Sequence, residues 1–295
     1  MLRKLLKMPC PLCNHPNASS SWLATVYRKQ DFTYRECAGC KSLYCYPMPD
    51  EETIKFMYGE DYHASDEYQE TADENSRRPP PVIELLKREE KGVFVDFGCG
   101  KGALLTSAKR LGWTTFGVEF APDVAARVER ETGVTVFCGI EPPEAFRADV
   151  LHLGDVIEHL TDLNKQMPEI LRWLKPNGWL VAQGPLEAQQ NLFAFVIKTV
   201  HKLKRKSSNI PPFHVILATA KGQRRFFNRF GLAEMDYSTF EIDFPAPEKL
   251  NFSVLRNPRL LALLILRKIS KLASVLLPGE WGNRYFYCGR WMGEK

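Results

Sequence analysis

Two pairs of cysteines near the start of the chain have the spacing of a metal site. Cys10 and Cys13 form one C-x2-C turn, and Cys37 and Cys40 form a second one after 23 intervening residues. Four thiolates in two such turns suit a tetrahedral zinc ion, and a site closed by four sulfurs is structural and not catalytic. Structural or redox thiols are the alternative. The spacing predicts a zinc-ribbon-like module over residues 1–50, with residues 20–35 as a hairpin.

A glycine-rich turn follows a buried apolar segment in the middle of the chain. The segment 93–98 reads VFVDFG and continues so that Gly98, Gly100 and Gly102 alternate with other residues. Such a turn lets a ligand approach the backbone, and the following helix presents N–H groups to an anion. Glu119 closes the next predicted strand, where a carboxylate can accept both hydroxyls of a ribose. The pattern predicts a nucleotide-like ligand, but its glycine spacing is not the G-x-G-x-x-G of dinucleotide folds.

A second group of ionisable residues follows the fourth predicted strand. Asp155, Glu158 and His159 have i, i+3 and i+4 spacing, which predicts one shared helix face. Three interpretations stay open: a divalent-metal site, His159 as a general base, or helix capping and packing. Three more residues outside the central motifs are candidate bases or acceptor contacts: Tyr62, His63 and His214.

Short apolar strands alternate with amphipathic helices from residue 82 onward. Strands are predicted at residues 93–98, 115–120, 134–138, 148–153 and 179–184, and helices at 103–111, 122–132 and 163–174. Strands separated by helices of this length form a parallel, doubly wound sheet, an α/β fold. Ligands of such sheets bind beyond the carboxyl ends of the strands. The glycine turn and the later acidic group are therefore predicted at one edge.

Composition excludes several classes of protein. The 295 residues include 44% hydrophobic, 12% aromatic and 25% charged residues, which are ordinary values for a globular chain and not for a disordered or coiled-coil one. Eight cysteines are too few for a disulfide scaffold. The apolar stretch 260–277 is interrupted by Arg267, Lys268 and Lys271, so it does not read as a membrane span. We expect a cytoplasmic protein.

The net charge of +5 is mild, but the positive charge is concentrated. No acidic residue lies between Glu187 and Glu234, a stretch with nine basic residues, and residues 256–278 also lack acids. Residues 191–206 read as a basic amphipathic helix. Such helices can rest on an anionic membrane or cover a phosphorylated substrate, and the alternative is an ordinary solvated face. Peripheral membrane contact through 191–206 and 256–278 is one prediction.

Several of these segments together resemble class I S-adenosylmethionine-dependent methyltransferases. The matching segments lie within residues 92–185 and read VFVDFGCGKG, TFGVEF, LGDVIEHL and LKPNGWL. The resemblance implies a Rossmann-like sheet with an antiparallel seventh strand near RYFYCGRW. It also implies the residues around the methyl donor: Asp96 at the ammonium end, Gly98, Cys99, Gly100 and Gly102 along the methionine, Glu119 at the ribose, Phe120 and Ile140 near the adenine, and Asp155 on the methionine side.

The resemblance also sets the expected domains and function. We expect a linker or cover at residues 51–81 and a methyltransferase domain at 82–295, with insertions at about 187–215 and 243–283. The zinc module resembles that of methyltransferases in sugar and polysaccharide biosynthesis, so the leading hypothesis is methylation of a small-molecule or carbohydrate-like acceptor. His214 lies in a segment that faces the acceptor in similar enzymes. The alternatives are an RNA methyltransferase, although nucleic-acid binding is not favoured by the charge pattern, and a non-catalytic S-adenosylmethionine-binding protein.

Overall fold

The computed structural model describes residues 8–57, 81–189, 191–196, 199, 211–243, 247, 249–276 and 280–293. The candidate residues Tyr62 and His63 lie outside the described residues. So do most of the predicted 51–81 cover and most of the second half of the predicted basic helix 191–206. Within the first half of that helix, residues 192–196 are helical.

The N-terminal region forms a small antiparallel sheet. Its first two strands are the predicted hairpin, and the next helix begins directly after Asp50, whose carboxylate accepts a hydrogen bond from the backbone N–H of Thr53 at 2.9 Å. The elements are β1 (Ala18–Tyr27), β2 (Gln30–Cys37), β3 (Leu43–Tyr46) and α1 (Glu51–Met57). A fourth strand, β9 (Ile216–Leu217), comes from much later in the chain and pairs with β3.

The main sheet has seven strands in the order β10-β11-β8-β7-β4-β5-β6. Within it β11 runs antiparallel to both of its neighbours, and β4 to β8 pair in parallel, which confirms the predicted α/β class. The strands are β4 (Val93–Phe97), β5 (Thr114–Glu119), β6 (Val136–Cys138), β7 (Ala148–Gly154), β8 (Leu174–Pro185), β10 (Leu232–Phe240) and β11 (Arg284–Trp291).

Helices connect the strands and carry the start and stop signals of the sequence. Pro122 opens α4, where its missing N–H costs nothing, and Gly133 ends that helix with a φ of 59°. The side chains of Asp162 and Thr219 cap α5 and α6. The helices of the main domain are α2 (Val82–Arg88), α3 (Ala103–Arg110), α4 (Pro122–Thr132), α5 (Leu163–Leu171), α6 (Ala220–Arg229), α7 (Phe252–Arg256) and α8 (Pro258–Leu276).

One continuous apolar core joins the small sheet to the large one. It contains residues of the N-terminal region, of the segment around β9 and α6, and of the central strands: Leu12, Phe32, Ile216, Phe226, Leu151 and Trp173. Gly222 of α6 allows this contact, because a β-carbon there would crowd Ser42 and Leu12. The small sheet is therefore packed on the same core as the main sheet. The predicted domain boundary near residue 50 stays a prediction.

The predicted insertion after β10 contains two helices, α7 and α8, between β10 and β11. Because β10 ends and β11 begins at the carboxyl edge of the parallel strands, this helical insertion lies at the edge where ligands bind. None of the described helices is long and apolar enough to cross a bilayer.

Candidate active site

The four N-terminal cysteines come together as their spacing predicts. All four sulfur atoms lie within 4.8 Å of one another, with 3.7 Å between Cys10 and Cys40 and 3.5 Å between Cys13 and Cys37. These distances are too long for disulfides and close to the ~3.8 Å edge of a tetrahedron of sulfurs around zinc at about 2.3 Å. The backbone N–H groups of Gly39 and Cys40 point at the Cys37 sulfur, at 3.3 and 3.5 Å. The donor set and its geometry fit a zinc ion.

The cysteine sheet also holds the segment that carries His214. The hydroxyl of Tyr34 donates a hydrogen bond to the carbonyl oxygen of His214 at 2.8 Å. A few residues later, the hydroxyl of Thr219 donates to the carbonyl oxygen of Cys40 at 2.7 Å, and β9 between them is a strand of the sheet. The position of His214 therefore depends on the four-cysteine module.

The glycine turn adopts a backbone that other residues rarely accept. Gly98, Gly100 and Gly102 have φ angles of 78°, 50° and 73°. A β-carbon on Gly98 would lie 2.7 Å from Cγ2 of Val156, and one on Gly102 would lie 2.6 Å from Cγ1 of Val128. Both strain and crowding therefore require glycine here. The contact with Val156 also places the turn directly beside the segment that follows β7.

Glu119 is positioned by the glycine turn. Its two carboxylate oxygens accept hydrogen bonds from the backbone N–H groups of Gly100, at 3.1 Å, and Phe120, at 2.7 Å. The Phe120 ring is half-exposed and meets the buried ring of Phe97 edge to face at 5.7 Å. A fixed carboxylate beside an accessible aromatic face fits an adenosine-containing ligand, with the carboxylate at the ribose hydroxyls.

Three other residues predicted to contact the methyl donor have polar groups that are buried or hydrogen-bonded within the protein. The buried carboxylate of Asp96 lies 2.7 Å from Nδ1 of His152 on the neighbouring strand. Cys99 is buried, and this burial raises the pKa of its thiol. The carbonyl oxygen of Ile140 accepts a hydrogen bond from the Trp173 indole at 2.6 Å. Their contacts with the donor stay predictions, and for Cys99 and Ile140 we expect backbone or apolar contacts.

The predicted shared helix face of Asp155, Glu158 and His159 is wrong. Asp155 has a φ of 54°, which no right-handed helix accommodates, and only a 3₁₀ turn, Ile157–His159, follows it. The left-handed backbone turns the Asp155 carboxylate toward Arg284, whose Nη2 lies 2.6 and 2.8 Å from the two oxygens. Burial alone would raise the pKa of Asp155, but the guanidinium charge outweighs it and lowers that pKa. Asp155 is therefore a paired carboxylate.

Glu158 is a buried carboxyl group against the carboxyl end of β8, next to Gly184. Among the described residues its Oε1 has no hydrogen-bond partner. Burial, reinforced by the negative charge of Asp155, raises the pKa of Glu158 to about 8. Glu158 is therefore mostly protonated at neutral pH, where it can donate a hydrogen bond.

Two histidines from distant segments meet beside Glu158. The rings of His159 and His214 are 4.9 Å apart between centroids, in an edge-to-face arrangement. His159 donates from Nδ1 to the carbonyl oxygen of Phe213 at 2.9 Å. Burial and the neighbouring His214 lower the pKa of His159 to about 4, so this ring stays neutral.

His214 has a carboxylate partner that the sequence reading missed. Its Nδ1 lies 2.8 Å from Oε2 of Glu187, and 31% of its side chain remains exposed. Burial opposes a charge on the ring, but the attraction of Glu187 outweighs it and raises the pKa of His214 to about 9. Glu187 lies two residues after the end of β8, so an acid near a strand's carboxyl end was the available signal. Nothing in the sequence pointed to Arg284.

The structure groups a different metal-ligand set from the predicted one. The ligand atoms of Glu158, His159 and His214 lie within 4.8 Å of one another and could hold a metal ion. Asp155, which the sequence grouped with Glu158 and His159, is bound to Arg284 instead. Glu158, His159 and His214 could therefore serve either as an acid-base cluster or as metal ligands.

The described arginines of the basic stretch are used inside the protein. Arg224 forms ion pairs with Glu234 and Glu280, at 3.3 and 3.2 Å. Arg225 and Arg229 donate to the backbone oxygens of Gly39 and Pro11, which joins α6 to the cysteine module. Arg225 and Arg229 therefore help pack the module against α6, while Arg224 ties α6 to Glu234 of β10.

Comparisons with known sequences identify the family. A family model described as a methyltransferase domain matches residues 68–234, more than half of the chain, so the chain belongs to this family. The ribosomal protein L11 methyltransferase of Haemophilus influenzae is 36% identical over 115 residues, which are 36% of this chain and 38% of the relative. That of Vibrio cholerae is 34% identical over 105 residues, which are 33% and 35% of the two chains. The chain thus spans about a third of the length of these curated relatives.

A solved structure supports the fold over a greater length. A complex between the Haloferax volcanii Trm112 methyltransferase activator and a methyltransferase contains a chain that superposes with a TM-score of 0.52 at 17% identity. The match covers 83% of this chain and 99% of that one, and shows the shared fold. Together with the family match, the sheet and the glycine turn define the class, that of the S-adenosylmethionine-dependent methyltransferases.

Proposed function

We propose that this protein transfers the methyl group of S-adenosylmethionine to a small-molecule or carbohydrate-like acceptor, with His214 as the base that takes the acceptor's proton. The pairing of a partly exposed His214 with Glu187 carries the proposal. Val156 links this group to the donor side, because it lies against Gly98 of the glycine turn and directly precedes the 3₁₀ turn that holds Glu158 and His159.

The donor side needs only binding and orientation. The bound sulfonium supplies an activated methyl group, so catalysis chiefly requires a nucleophile held in line with it. Glu119 would hold the ribose hydroxyls, the open glycine backbone would border the methionine, and Phe120 would lie along the adenine. Asp96 would act at the ammonium end together with its hydrogen-bonded partner His152.

The acceptor side supplies the proton acceptor. Glu187 engages Nδ1 of His214, so that Nε2 is the atom directed to the acceptor. A base with a pKa near 9 takes a hydroxyl proton more readily than an ordinary histidine, although it must first lose its own proton. Glu158, protonated at neutral pH, and neutral His159 would bind acceptor hydroxyls as hydrogen-bond donor and acceptor.

We further propose that Cys10, Cys13, Cys37 and Cys40 bind one structural zinc ion that orders the segment carrying His214. The fit of the four sulfurs to a tetrahedron and the link from Tyr34 to His214 support this role. Elemental analysis of purified protein should give about one zinc per chain. A stoichiometry far below one in protein that is folded and active would refute the structural role.

A protein acceptor is the second candidate, because the curated relatives are named ribosomal protein L11 methyltransferases. Their similarity covers only about a third of each chain. A small hydroxyl-bearing acceptor fits the closely grouped side chains of Glu158, His159 and His214. An RNA acceptor has less support, since Arg224, Arg225 and Arg229 are engaged within the protein.

Transfer of a labelled methyl group tests the proposal directly. The full chain is incubated with methyl-labelled S-adenosylmethionine and fractionated extract, and labelled products are identified by mass spectrometry. We expect label in the small-molecule or glycan fraction with the wild type, and little with His214→Asn, which should still bind the donor in a calorimetric titration. Label found only in protein would favour the second candidate. Donor binding without any labelled product would support a non-catalytic binding protein, and an absence of donor binding would overturn the assignment of the donor site.

The same assay separates a base from a metal site. The protein is dialysed against a chelator that is too weak to remove zinc from the four cysteines. If activity survives, His214 is supported as a base. Activity lost in this way and restored by a divalent cation would assign Glu158, His159 and His214 to that metal.

A further inference from the structure

Helix α8 (Pro258–Leu276) is oriented opposite to an ordinary surface helix. Arg267, only 2% exposed, and Ser270 are its buried residues. Several apolar side chains are strongly exposed instead, with Ile269 at 50% and Val275 at 81% exposure, while leucines of the first half such as Leu263 and Leu264 are half-buried. A surface helix of a globular protein normally buries its apolar stripe against the core. The exposed apolar side of α8 therefore indicates a surface for contact with another molecule.

Specific polar contacts fix this orientation. The Ser270 hydroxyl donates to Oε1 of Glu241 at 2.9 Å and accepts from the backbone N–H of Phe193 at 3.3 Å. The Arg267 guanidinium lies 3.5 Å above the Phe193 ring and pairs with Glu241 at 3.6 Å. Because turning the helix over would leave these buried polar groups without partners, the outward apolar face is a built feature.

Two segments that contact α8 also carry exposed apolar residues: α7 packs beside it, and Phe193 of the helical stretch 192–196 touches Ser270 and Arg267. We define the outer face as the exposed large hydrophobic residues of these three segments. They are Ile265, Ile269, Leu272, Val275 and Leu276 on α8, Leu250, Phe252 and Leu255 on or just before α7, and Phe195 in the stretch 192–196. Exposed apolar residues grouped in this way mark a site of interaction with a protein or a membrane.

The charges around the outer face select among partners. Residues 249–276 contain no acidic residue, and Lys249, Arg256 and Arg259 are exposed, while the exposed Lys268 is paired with Asp243 at 3.4 Å. Apolar side chains among cations match the boundary between the headgroups and acyl chains of an anionic bilayer. A second copy of this chain would bring like charges together, which disfavours a dimer through this face.

We propose that the outer face docks on an anionic membrane surface, with α8 lying in the interface and not crossing the bilayer. The location fits the active site, because α8 belongs to the insertion that leads into β11, whose first residue, Arg284, binds Asp155. Docking would therefore place the acceptor side near the lipid headgroups. The inference concerns binding alone and does not depend on the proposed acceptor.

Vesicle co-sedimentation of the full chain tests the proposal. The probes are phosphatidylcholine vesicles with and without phosphatidylglycerol, at low and high salt. We expect binding to the anionic vesicles that weakens with salt, and much weaker binding to phosphatidylcholine alone. The double variant Ile269→Glu with Val275→Glu should lower vesicle affinity by more than about tenfold, because two apolar contacts are lost and two negative charges added.

Met235→Glu is the matched control. Met235 is 62% exposed on β10, away from the outer face, so the variant adds a negative charge in place of an exposed apolar residue without touching that face. It should bind vesicles as the wild type does, and unchanged donor binding in all variants would show that they fold. No wild-type binding to anionic vesicles overturns the proposal. The proposal is also overturned if light scattering without lipid shows that the wild type is a dimer and the double variant a monomer.

Discussion

The donor side and the acceptor side of this protein are built in different ways. Of the predicted donor contacts, those from Asp96 to Phe120 lie on or next to β4, β5 and the turn between β4 and α3, within 25 consecutive residues, and Ile140 and Asp155 lie later. The acceptor side assembles Glu158 and His159 with Glu187 and His214, and the adjoining pair of Asp155 and Arg284 joins residues 129 positions apart. One side is a local motif, whereas the other exists only after folding.

The difference follows from what each side must do. Recognition of a nucleotide-like donor relies on backbone geometry. Three glycines with positive φ provide that geometry in the turn between β4 and α3. Proton transfer relies on side-chain pKa values, which depend on burial and on charges brought from elsewhere. A mutation on the donor side should therefore change donor affinity and leave kcat nearly unchanged, and a mutation on the acceptor side should do the opposite.

The largest effect is expected for His214→Asn. Loss of a general base typically costs about 10²–10⁴-fold in rate, so kcat should fall by that factor. The dissociation constant for S-adenosylmethionine, measured by calorimetry, should change by less than about twofold, since His214 makes no donor contact in the proposed arrangement. Equal losses in kcat and donor affinity would show that the two sides are not separate.

Glu119→Ala should give the opposite result. The variant loses the acceptor for the ribose hydroxyls and the hydrogen bonds from Gly100 and Phe120. Charged hydrogen bonds contribute about 1.5–3 kcal/mol each, so donor affinity should weaken by about 10- to 100-fold. At saturating donor, kcat should stay near the wild-type value. The control is Glu129→Ala, which removes another carboxylate from the exposed face of α4 and should change neither quantity.

Glu187→Gln should change the pH dependence more than the maximal rate. Glu187 raises the pKa of His214 to about 9 from an ordinary 6.5, so wild-type activity should increase as pH rises through about 9. Without the carboxylate, the pKa falls, and this limb of the pH–rate profile should move down by one or more units, which is roughly the effect of removing one close opposite charge. Glu169→Gln, an exposed carboxylate paired with Arg172, should leave the profile in place.

The pair of His214 and Glu187 also predicts how the free energy of unfolding changes with pH. A histidine whose folded pKa is raised stabilises the fold fully below its unfolded pKa of about 6.5, and this contribution is lost as pH rises through about 9. Denaturation of wild type and Glu187→Gln should therefore differ most in acid to neutral solution and converge above pH 9. A difference that grows with pH would contradict the assigned pKa direction.

The smallest effect is expected for Tyr34→Phe, which removes one hydrogen bond to the carbonyl of His214. The free energy of unfolding should drop by about 0.5–1.5 kcal/mol, and kcat should fall a few-fold because His214 is held less firmly. Tyr44→Phe removes a similar bond, from Tyr44 to the carbonyl of Met8 at 3.0 Å, in the same sheet. Chemical denaturation should show a comparable loss for both variants, but only Tyr34→Phe should lower kcat.

Much of the fold could be predicted because its signals are local. The strand VFVDFG, the helix opened by Pro122 and the hairpin between the cysteine pairs appear close to where they were expected. The boundaries moved where neighbours decided them: β8 begins at Leu174, several residues earlier than predicted. A 3₁₀ turn follows Asp155 where a helix was predicted, and the left-handed backbone of Asp155 directs its carboxylate to Arg284.

The sequence by itself determined the class of sheet, the glycine turn with Glu119, and the four cysteines, because each depends on residue type and short spacing. Only the tertiary structure decided that Glu187 pairs with His214, that Arg284 neutralises Asp155, and that the polar side of α8 faces inward. An amphipathic pattern defines two faces of a helix but does not say which one is buried. That choice, like the pKa of a buried carboxyl or imidazole, depends on groups that distant parts of the chain bring into contact.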